Sequence, residues 1–371
     1  MQQAWIAGEP AALDTAIEEA AKLLTSSRYP LVAGLGTDIA GARAAITLAD
    51  RIGAVIDHMN ADALLRDLDV VRSSGVLVTT PSEAHVRADT LLLVGPGLAE
   101  TWSELPRRLF EAMRPNQNGA ALERRVYSIC PGRNWAIPAS GEAAVVAIGG
   151  QPGEIPALLA ALRVRVAGRP TGKTRISSSK LDEVAAGLKR ARFGVAIWSA
   201  ATVDALTIEM LCGLLNELNA ATRFFGLPLA PADNAIGVMQ ACAWMIGLPV
   251  RAGFGRTFPQ HDPWLFNSQR IVAGGEADCV LWISAYRAAT PPWRGAVPTI
   301  ALTGRKANFD MPPRVHIAVG CPGDDHAGVE HLPSTGSLAL VEAKKPSSAI
   351  SVADAIARII SVLPGAGELP C

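Results

Sequence analysis

The sequence has no close pair of cysteines, no long apolar run and no surplus of charge of either sign. Its six cysteines, Cys130, Cys212, Cys242, Cys279, Cys321 and Cys371, stand far apart and form no CxxC. Zinc and iron–sulfur centres as a rule leave at least one close pair, so these read as small buried hydrophobes in a reducing compartment. Lys plus Arg number 34 and Asp plus Glu also 34. That balance argues against a nucleic-acid binder, which needs clustered positive charge. No apolar stretch approaches the roughly 20 residues of a membrane span. The opening MQQAWIAGEPAALDTAIEEAAKLL lacks both the basic and the continuous apolar region of a signal peptide. The expectation is a cytoplasmic protein with no nucleic acid and no membrane as partner. Hydrolase signatures are missing as well: there is no GxSxG, no HExxH and no HxH after an early strand. Ser199, in IWSAATVD, is followed by Ala200 and Ala201 where a sharp nucleophile elbow would want glycine, and a helix N-cap by Ser199 or Thr202 is the better reading.

What is present is apolar bulk. Of 371 residues, 49% are hydrophobic and 18% charged, enough for about two or three domains with a large core. Near-zero net charge and positive mean hydropathy imply apolar surface covered by partner subunits. Short apolar runs alternate with amphipathic helices, which predicts an α/β fold, doubly wound, with mostly parallel sheets in two related lobes. Tyr29–Ala33 predicts a strand, Gly34–Thr37 a turn and Ile39–Ile52 a helix. Asp89–Val94 predicts a strand buried on both faces, ending in Gly95-Pro96-Gly97. Further strands are expected at Glu123–Cys130, before a Pro131-Gly132 turn, and at Ala144–Ile148. The polar GRPTGKTRISSSK at 168–180 predicts a linker. After it the layout restarts with strands at Phe193–Trp198 and Thr222–Leu229 around a helix at Thr202–Leu218. Ala277–Ser284 (ADCVLWIS) echoes Ala88–Gly95 (ADTLLLVG), and Val297–Thr303 and Arg314–Val319 add two strands. The expected division is a first lobe at 1–167, the linker at 168–180, a second lobe at 181–345, and a tail at 346–371 whose helix packs back on the first lobe.

Few constellations carry chemistry. Gly34-x-Gly36 after a strand is a dinucleotide-binding candidate, but Ile39 stands where the third glycine should, and Gly41 comes two residues late. Asp57 lies roughly where a ribose-binding acid would be; a tight turn without a ligand is the stronger reading. Gly172-Lys173-Thr174 resembles the end of a P-loop, yet Ala167 replaces the required earlier glycine, and the match reads as accidental. His326 and His331 with Asp324, Asp325 and Glu330 form the one His/acid cluster, read as a solvated loop. His316 reads as a half-buried strand histidine. His261, in a turn rich in Pro and aromatics, is the one histidine worth following. Phe224–Val250 carries a single charge, Asp233, and is either a buried core element or a subunit interface.

A specific resemblance runs through the chain. Leu215-Asn216-Glu217-Leu218-Asn219-Ala220-Ala221-Thr222-Arg223-Phe224 is followed by Asp233-Asn234-Ala235-Ile236-Gly237 and Ala243-Trp244-Met245-Ile246-Gly247-Leu248-Pro249. Phe254-Gly255-Arg256-Thr257-Phe258-Pro259 and Gly275-Glu276-Ala277-Asp278 then follow in order. With Pro30–Gly36, Gly53–Asp57 and Arg87-Ala88-Asp89, this series resembles the B subunits of formylmethanofuran dehydrogenase and of the bacterial formyltransferase/hydrolase complex. Both fall within the molybdopterin oxidoreductase superfamily. The resemblance implies a formate dehydrogenase/DMSO reductase-like fold.

The departures decide what the resemblance implies for function. The family's iron–sulfur segment needs four cysteines before the first strand, and Met1–Tyr29 has none. Asp57–Gly75, which normally supplies the metal's thiolate or selenolate, offers His58, Met59 and Asp62 instead. The family's Cys-Asn-Pro turn is here Gly95-Pro96-Gly97, and the module clasping one pterin dinucleotide is missing from the sequence. The implication is a non-catalytic structural subunit that has lost the molybdopterin dinucleotide, the molybdenum or tungsten and the 4Fe-4S cluster. No catalytic or metal residue is expected. Gly34, Gly36, Thr37, Gly95, Gly97, Ser199, Ser284 and Arg287 are expected as vestigial cofactor loops, with Arg256 a second phosphate candidate. The implied partners are an amidohydrolase-like A subunit, a β-helical C subunit and a formyltransferase D subunit. The alternatives are a retained pterin or nucleotide site, or an NAD-linked oxidoreductase subunit resting on Gly34-x-Gly36.

Overall fold

The computed structural model describes residues 3–105, 124–130, 145–255, 258–293, 297–304 and 307–365. Contacts divide the chain into two compact units. One comprises Met1–Ala61, Ala232–His331 and Leu338–Cys371; the other comprises Asp62–Pro231 and Leu332–Ser337.

In the first unit the apolar runs β3 (Pro30–Gly36) and β12 (Cys279–Ser284) are buried along their whole length. Continuous apolar sequence without alternation is what a strand covered on both faces requires. They pair in parallel and are flanked in parallel by β4 (Val55–Ile56) on one side, and by β13 (Thr299–Thr303) and β14 (Val315–Ala318) on the other. Antiparallel edges follow: β1 (Ala4–Ile6) and β2 (Glu9–Ala11) beyond β14, β10 (Ala252–Gly253) and β11 (Gln260–His261) beyond β4. The parallel core thus runs β4-β3-β12-β13-β14, a doubly wound order whose direction reverses between β3 and β12. Helix Ile39–Ile52 starts where the Asp38 side chain accepts from the Gly41 N–H and stops at left-handed Gly53. Helix Val352–Val362 buries Val352, Ala355, Ile356 and Ile359 on one face and packs against Ile39–Ile52 and Leu13–Ser26. Arg51 holds its end by donating to the Ile360, Leu363 and Pro364 carbonyls.

The second unit is built on five parallel strands: β5 (Thr90–Val94), β6 (Arg125–Ile129), β7 (Val145–Ile148), β8 (Gly194–Trp198) and β9 (Phe224–Pro228). Their order, β7-β6-β5-β8-β9, reverses between β5 and β8, again a doubly wound arrangement. One face packs on Leu159, Leu162, Leu181, Leu188, Leu211 and Leu215 from three helices.

The mixed α/β class with parallel sheets is as expected, but the boundaries are not. β3 and β5, both placed in a first lobe, belong to different sheets: β3 pairs with β12 and β5 with β8. Residues 168–177 join helices Ile155–Val166 and Ser178–Lys189, which pack on one core cluster within one unit. Polar composition there marks a surface loop. Helix Ala205–Leu218 is capped by Asp204, whose carboxylate accepts from the Thr207 N–H at 2.7 Å, rather than by Ser199 or Thr202. The Pro131-Gly132 turn and Arg256 lie outside the described residues.

The ADxxL echo has a shared structural cause. Asp89, just before β5, accepts from the Arg192 and Phe193 N–H groups that lead into β8. Asp278, just before β12, accepts from the Arg28 and Tyr29 N–H groups that lead into β3. Each aspartate ties together the starts of the two strands that flank its own sheet's reversal point.

Candidate functional site

Ligands of doubly wound sheets sit outside the carboxyl ends of the strands at the reversal point. The residues singled out in the sequence gather at those two places: Gly34 and Gly36, which lie in β3 rather than in the expected turn, and Thr37 with Arg287 and β12's Ser284 in the first unit, Gly95 and Gly97 with Ser199 in the second.

In the first unit the crevice is lined by polar side chains that bond to one another. Asp233, buried at the start of helix Ala235–Ile246, receives both a 2.8 Å bond from Arg287 Nε and a second from Arg287 Nη2. Asn60 Nδ2 donates to the same carboxylate at 3.2 Å and to the Ala232 carbonyl at 2.9 Å. His58 is buried; its Nδ1 accepts from the Asn60 N–H at 2.9 Å and its Nε2 lies 3.2 Å from the Asp233 carbonyl. An accepting Nδ1 fixes the neutral Nε2–H form, and burial pushes the ring down to about 4. Asn234 donates to the Thr37 carbonyl and accepts from the His331 N–H, both at 2.9 Å. Ser284 Oγ accepts from the Ala289 N–H at 3.1 Å. Gly34 (φ +84°) answers a packing need: a Cβ there would lie 2.5 Å from the Ile283 carbonyl oxygen, where β12 shifts register against β3.

Asp57 is not available to a ribose. It is 2% exposed, lies 3.3 Å from Arg251 Nε and accepts from the Ser268 N–H at 2.8 Å. The His/acid cluster divides between a turn at the surface, which carries Asp324, Asp325 and His326 as expected, and a partly buried hairpin. Glu330 and His331 lie on β15 (Gly328–Leu332), paired with β16 (Ser337–Val341). The Tyr286 hydroxyl and Glu330 Oε1 are buried and neither makes a hydrogen bond of standard geometry. Burial, then Asp38, pushes the Glu330 carboxyl up to about 7. His316 is buried, stacked on Trp5 and 3.0 Å from Thr303 Oγ1. His261 Nδ1 lies 2.9 Å from the Arg251 carbonyl, a structural contact.

In the second unit the crevice is also occupied by protein. Thr202 Oγ1 donates to the Pro96 carbonyl at 2.8 Å and Thr101 Oγ1 to Ser199 Oγ at 3.1 Å. A Cβ at Gly97 (φ +75°) would stand 2.8 Å from Thr202 Cγ2, so the glycine admits a threonine. Trp198 is fully buried and its Nε1–H donates to Asp67 at 2.8 Å; burial pushes Asp67 up to about 6. Arg66 bridges to the Ala200 and Val203 carbonyls.

Sulfur donors are poorly suited to a metal. The described cysteines carry free thiols, and burial raises Cys242 and Cys279 to about 12 and Cys212 and Cys321 to about 11, so they remain protonated. Among the described residues no group of three or more His, Cys, Asp and Glu could hold a metal ion. Asp233, Asn60, His58 and Arg287 direct their hydrogen bonds largely to one another, while the Arg287 side chain stays half-exposed.

One open cavity was not anticipated from the sequence. It measures about 650 Å³ and lies beyond the carboxyl ends of β6 and β7. Gly149, Gly150 and Gly153 line one side, Lys173, Thr174 and Arg175 the rim. The Lys173-Thr174 pair that resembled a P-loop is therefore not on a strand–helix turn, but it does face a glycine-rich loop.

No protein-family model matches the chain. The B subunit of the formyltransferase/hydrolase complex Fhc of Methylorubrum extorquens is 33% identical over 361 residues, spanning 96% of each chain. The B subunit of tungsten-containing formylmethanofuran dehydrogenase 2 of Methanocaldococcus jannaschii is 24% identical over 321 residues, 81% of this chain and 73% of that one. A chain in the crystal structure of the M. extorquens FhcABCD complex with methylofuran superposes with a TM-score of 0.84 at 34% identity, covering 96% of this chain and 98% of that chain. One-third identity along nearly the whole of both chains is decisive: the protein belongs to the family of formyltransferase/hydrolase complex B subunits, related to the B subunits of formylmethanofuran dehydrogenase.

Proposed function

We propose that this chain is a non-catalytic structural subunit of a formyltransferase/hydrolase complex. The complex would transfer formyl from formyl-tetrahydromethanopterin to a methanofuran-type carrier and hydrolyse it to formate in one-carbon metabolism. Its partners would be an amidohydrolase-like A subunit, a β-helical C subunit and a formyltransferase D subunit. The fold would be of the formate dehydrogenase/DMSO reductase kind without the iron–sulfur domain. Free thiols in the described part and the lack, among the described residues, of any helix able to cross a membrane are in keeping with the cytoplasm.

The observation that carries this reading is the polar node His58–Asn60–Asp233–Arg287, in which a buried carboxylate already engages side chains that a cofactor's phosphates would otherwise meet. Purifying the complex through a tag on this chain and measuring molybdenum, tungsten and pterin per copy tests it. The expected amounts are far below one per copy; stoichiometric metal would overturn the reading. A second reading, a retained pterin or nucleotide without metal, is favoured by the cavity beside Gly149–Gly153 and Lys173. Release of a pterin or nucleotide near one per copy, with metal lacking, would establish it instead.

A further inference from the structure

The second unit's sheet does not end at β9. Val76–Thr79 runs parallel beside it: the Gly226 N–H donates to the Leu77 carbonyl at 2.7 Å and the Thr79 N–H to the Gly226 carbonyl at 3.0 Å. In that register the Val78 N–H and C=O point away from β9, and neither has a backbone partner among the described residues. Leu77 and Val78 are 61% and 58% exposed, on opposite faces of the strand. Val76, by contrast, packs against the core and fixes the segment in place. Natural edges are blunted by charge, proline or a bulge, yet Gly75-Val76-Leu77-Val78-Thr79-Thr80 has no charged residue and no proline.

We infer that this edge is a docking strand, to which an extended segment of another subunit of the complex adds by backbone pairing at Val78 and by covering Leu77 and Val78. An added strand meets both needs together: it supplies the complementary N–H and C=O groups and two apolar side-chain contacts. A second copy of this chain fits less well. Two-fold antiparallel pairing about Val78 would set Val76 against Thr80, whose carbonyl already accepts from the Ala84 N–H at 2.9 Å. The inference rests on the proposed membership of a multi-subunit complex.

The test uses the complex purified through a tag on this chain. Hydrogen exchange at the Val78 amide is expected to be slowed on the order of 100-fold against an unstructured amide. Val78→Pro removes only the outward N–H, a position where edge strands tolerate proline, and Val78→Lys blunts the edge by charge without touching the backbone. Both are expected to lower retention of one partner subunit on the order of tenfold while leaving the chain's own yield unchanged. Free exchange at Val78 in a complete complex, with all subunits retained by both variants, would overturn the inference. So would a cross-link joining two copies of the segment. Failure of the unsubstituted chain to bring down any subunit would instead refute the proposed function.

Discussion

Replacing Asp57 separates an acid that holds a ligand from one that holds the fold. Its carboxylate is 2% exposed, 3.3 Å from Arg251 Nε, and fixes the first N–H of helix Ser268–Ala273 at 2.8 Å. Arg251 itself sits at φ +61°, a backbone conformation that costs about 1–3 kcal/mol unless its surroundings enforce it. Removing one member of a buried pair costs about 3–5 kcal/mol, so Asp57→Ala should lower the melting temperature by roughly 6–20 °C at 2–4 °C per kcal/mol for a unit of this size. Asp57→Asn keeps an oxygen for Ser268 and should cost about 1–3 kcal/mol less, the value of one buried bond. Burial, opposed by Arg251 and Ser268, holds Asp57 above the ordinary carboxylate range. A folded pKa above the unfolded one means that Asp57 stabilises most in acid and progressively less as pH rises through its folded value. The Asp57→Asn penalty should therefore shrink with rising pH. Hydrogen exchange over Val55–Ile56 and Ser268–Ala273 reads the loss locally, without assuming that the two units unfold together. An Asp57→Ala cost below about 1 kcal/mol, or strict additivity with Arg251→Ala where contact predicts a coupling of about 0.5–3 kcal/mol, would refute the structural role.

Three further outcomes follow from the same geometry. His58, depressed to about 4 by burial, lies below its unfolded value, so its contribution is present above pH 6.5 and lost as pH falls toward 4. The loss is at most about 3 kcal/mol, and His58→Gln should flatten urea midpoints over that window; an unchanged slope would contradict the assignment. Glu330, raised to about 7 by burial and then Asp38, behaves oppositely, its stability complete below about pH 4.5 and lost as pH rises through 7. Because it is only half-buried, solvent screening reduces the effect to about 1 kcal/mol, and Glu330→Gln should remove it between pH 5 and 8, as read from melting temperatures. Trp198→Phe should cost about 1–3 kcal/mol by stripping the hydrogen bond from Asp67. It should also drive the Asp67 carboxyl above about 6; a carboxyl titration by NMR that does not move would show the bond to be unimportant.

Local features were legible in the sequence and long-range ones were not. The unbroken apolar runs of β3, β5, β8 and β12 announce buried parallel strands, and the glycines at the end of β3 and just after β5 mark both reversal points. The sequence says nothing of which run pairs with which, because β3 and β5 present the same doubly covered pattern and either could sit beside β12. The unit boundary at Ala61/Asp62 falls in the first turn of helix Ala61–Ser74, where no glycine or proline signals it, while the conspicuous polar stretch at 168–177 merely joins two neighbouring helices. Asp233 illustrates the remaining limit. As the lone charge in Phe224–Val250 it invites either a core or an interface reading of the whole segment. The structure divides that segment into buried β9 and a helix that buries Ala235, Val238, Ala241 and Cys242 but exposes Trp244 to 64%.

The backbone around Asp233 is the strongest argument for reading the first-unit crevice as self-sufficient. Asp233 and Asn234 adopt φ +60° and +55° in succession, and neither is glycine, so each costs about 1–3 kcal/mol unless the surroundings hold it. The surroundings do so through five partners: Arg287 and Asn60 on the Asp233 carboxylate, His58 on its carbonyl, Thr37 and His331 on the Asn234 amide. A phosphate entering here would compete for Arg287 against a buried carboxylate that already takes two of its N–H groups. Winning that competition would leave Asp233 charged, buried and short of its main partner, at a cost of about 3–5 kcal/mol, and would release the strained pair that begins helix Ala235–Ile246. Losing it leaves the crevice as it stands. The crevice residues thus hold one another, and that hold is written into the conformation of Asp233 and Asn234 as much as into their side chains.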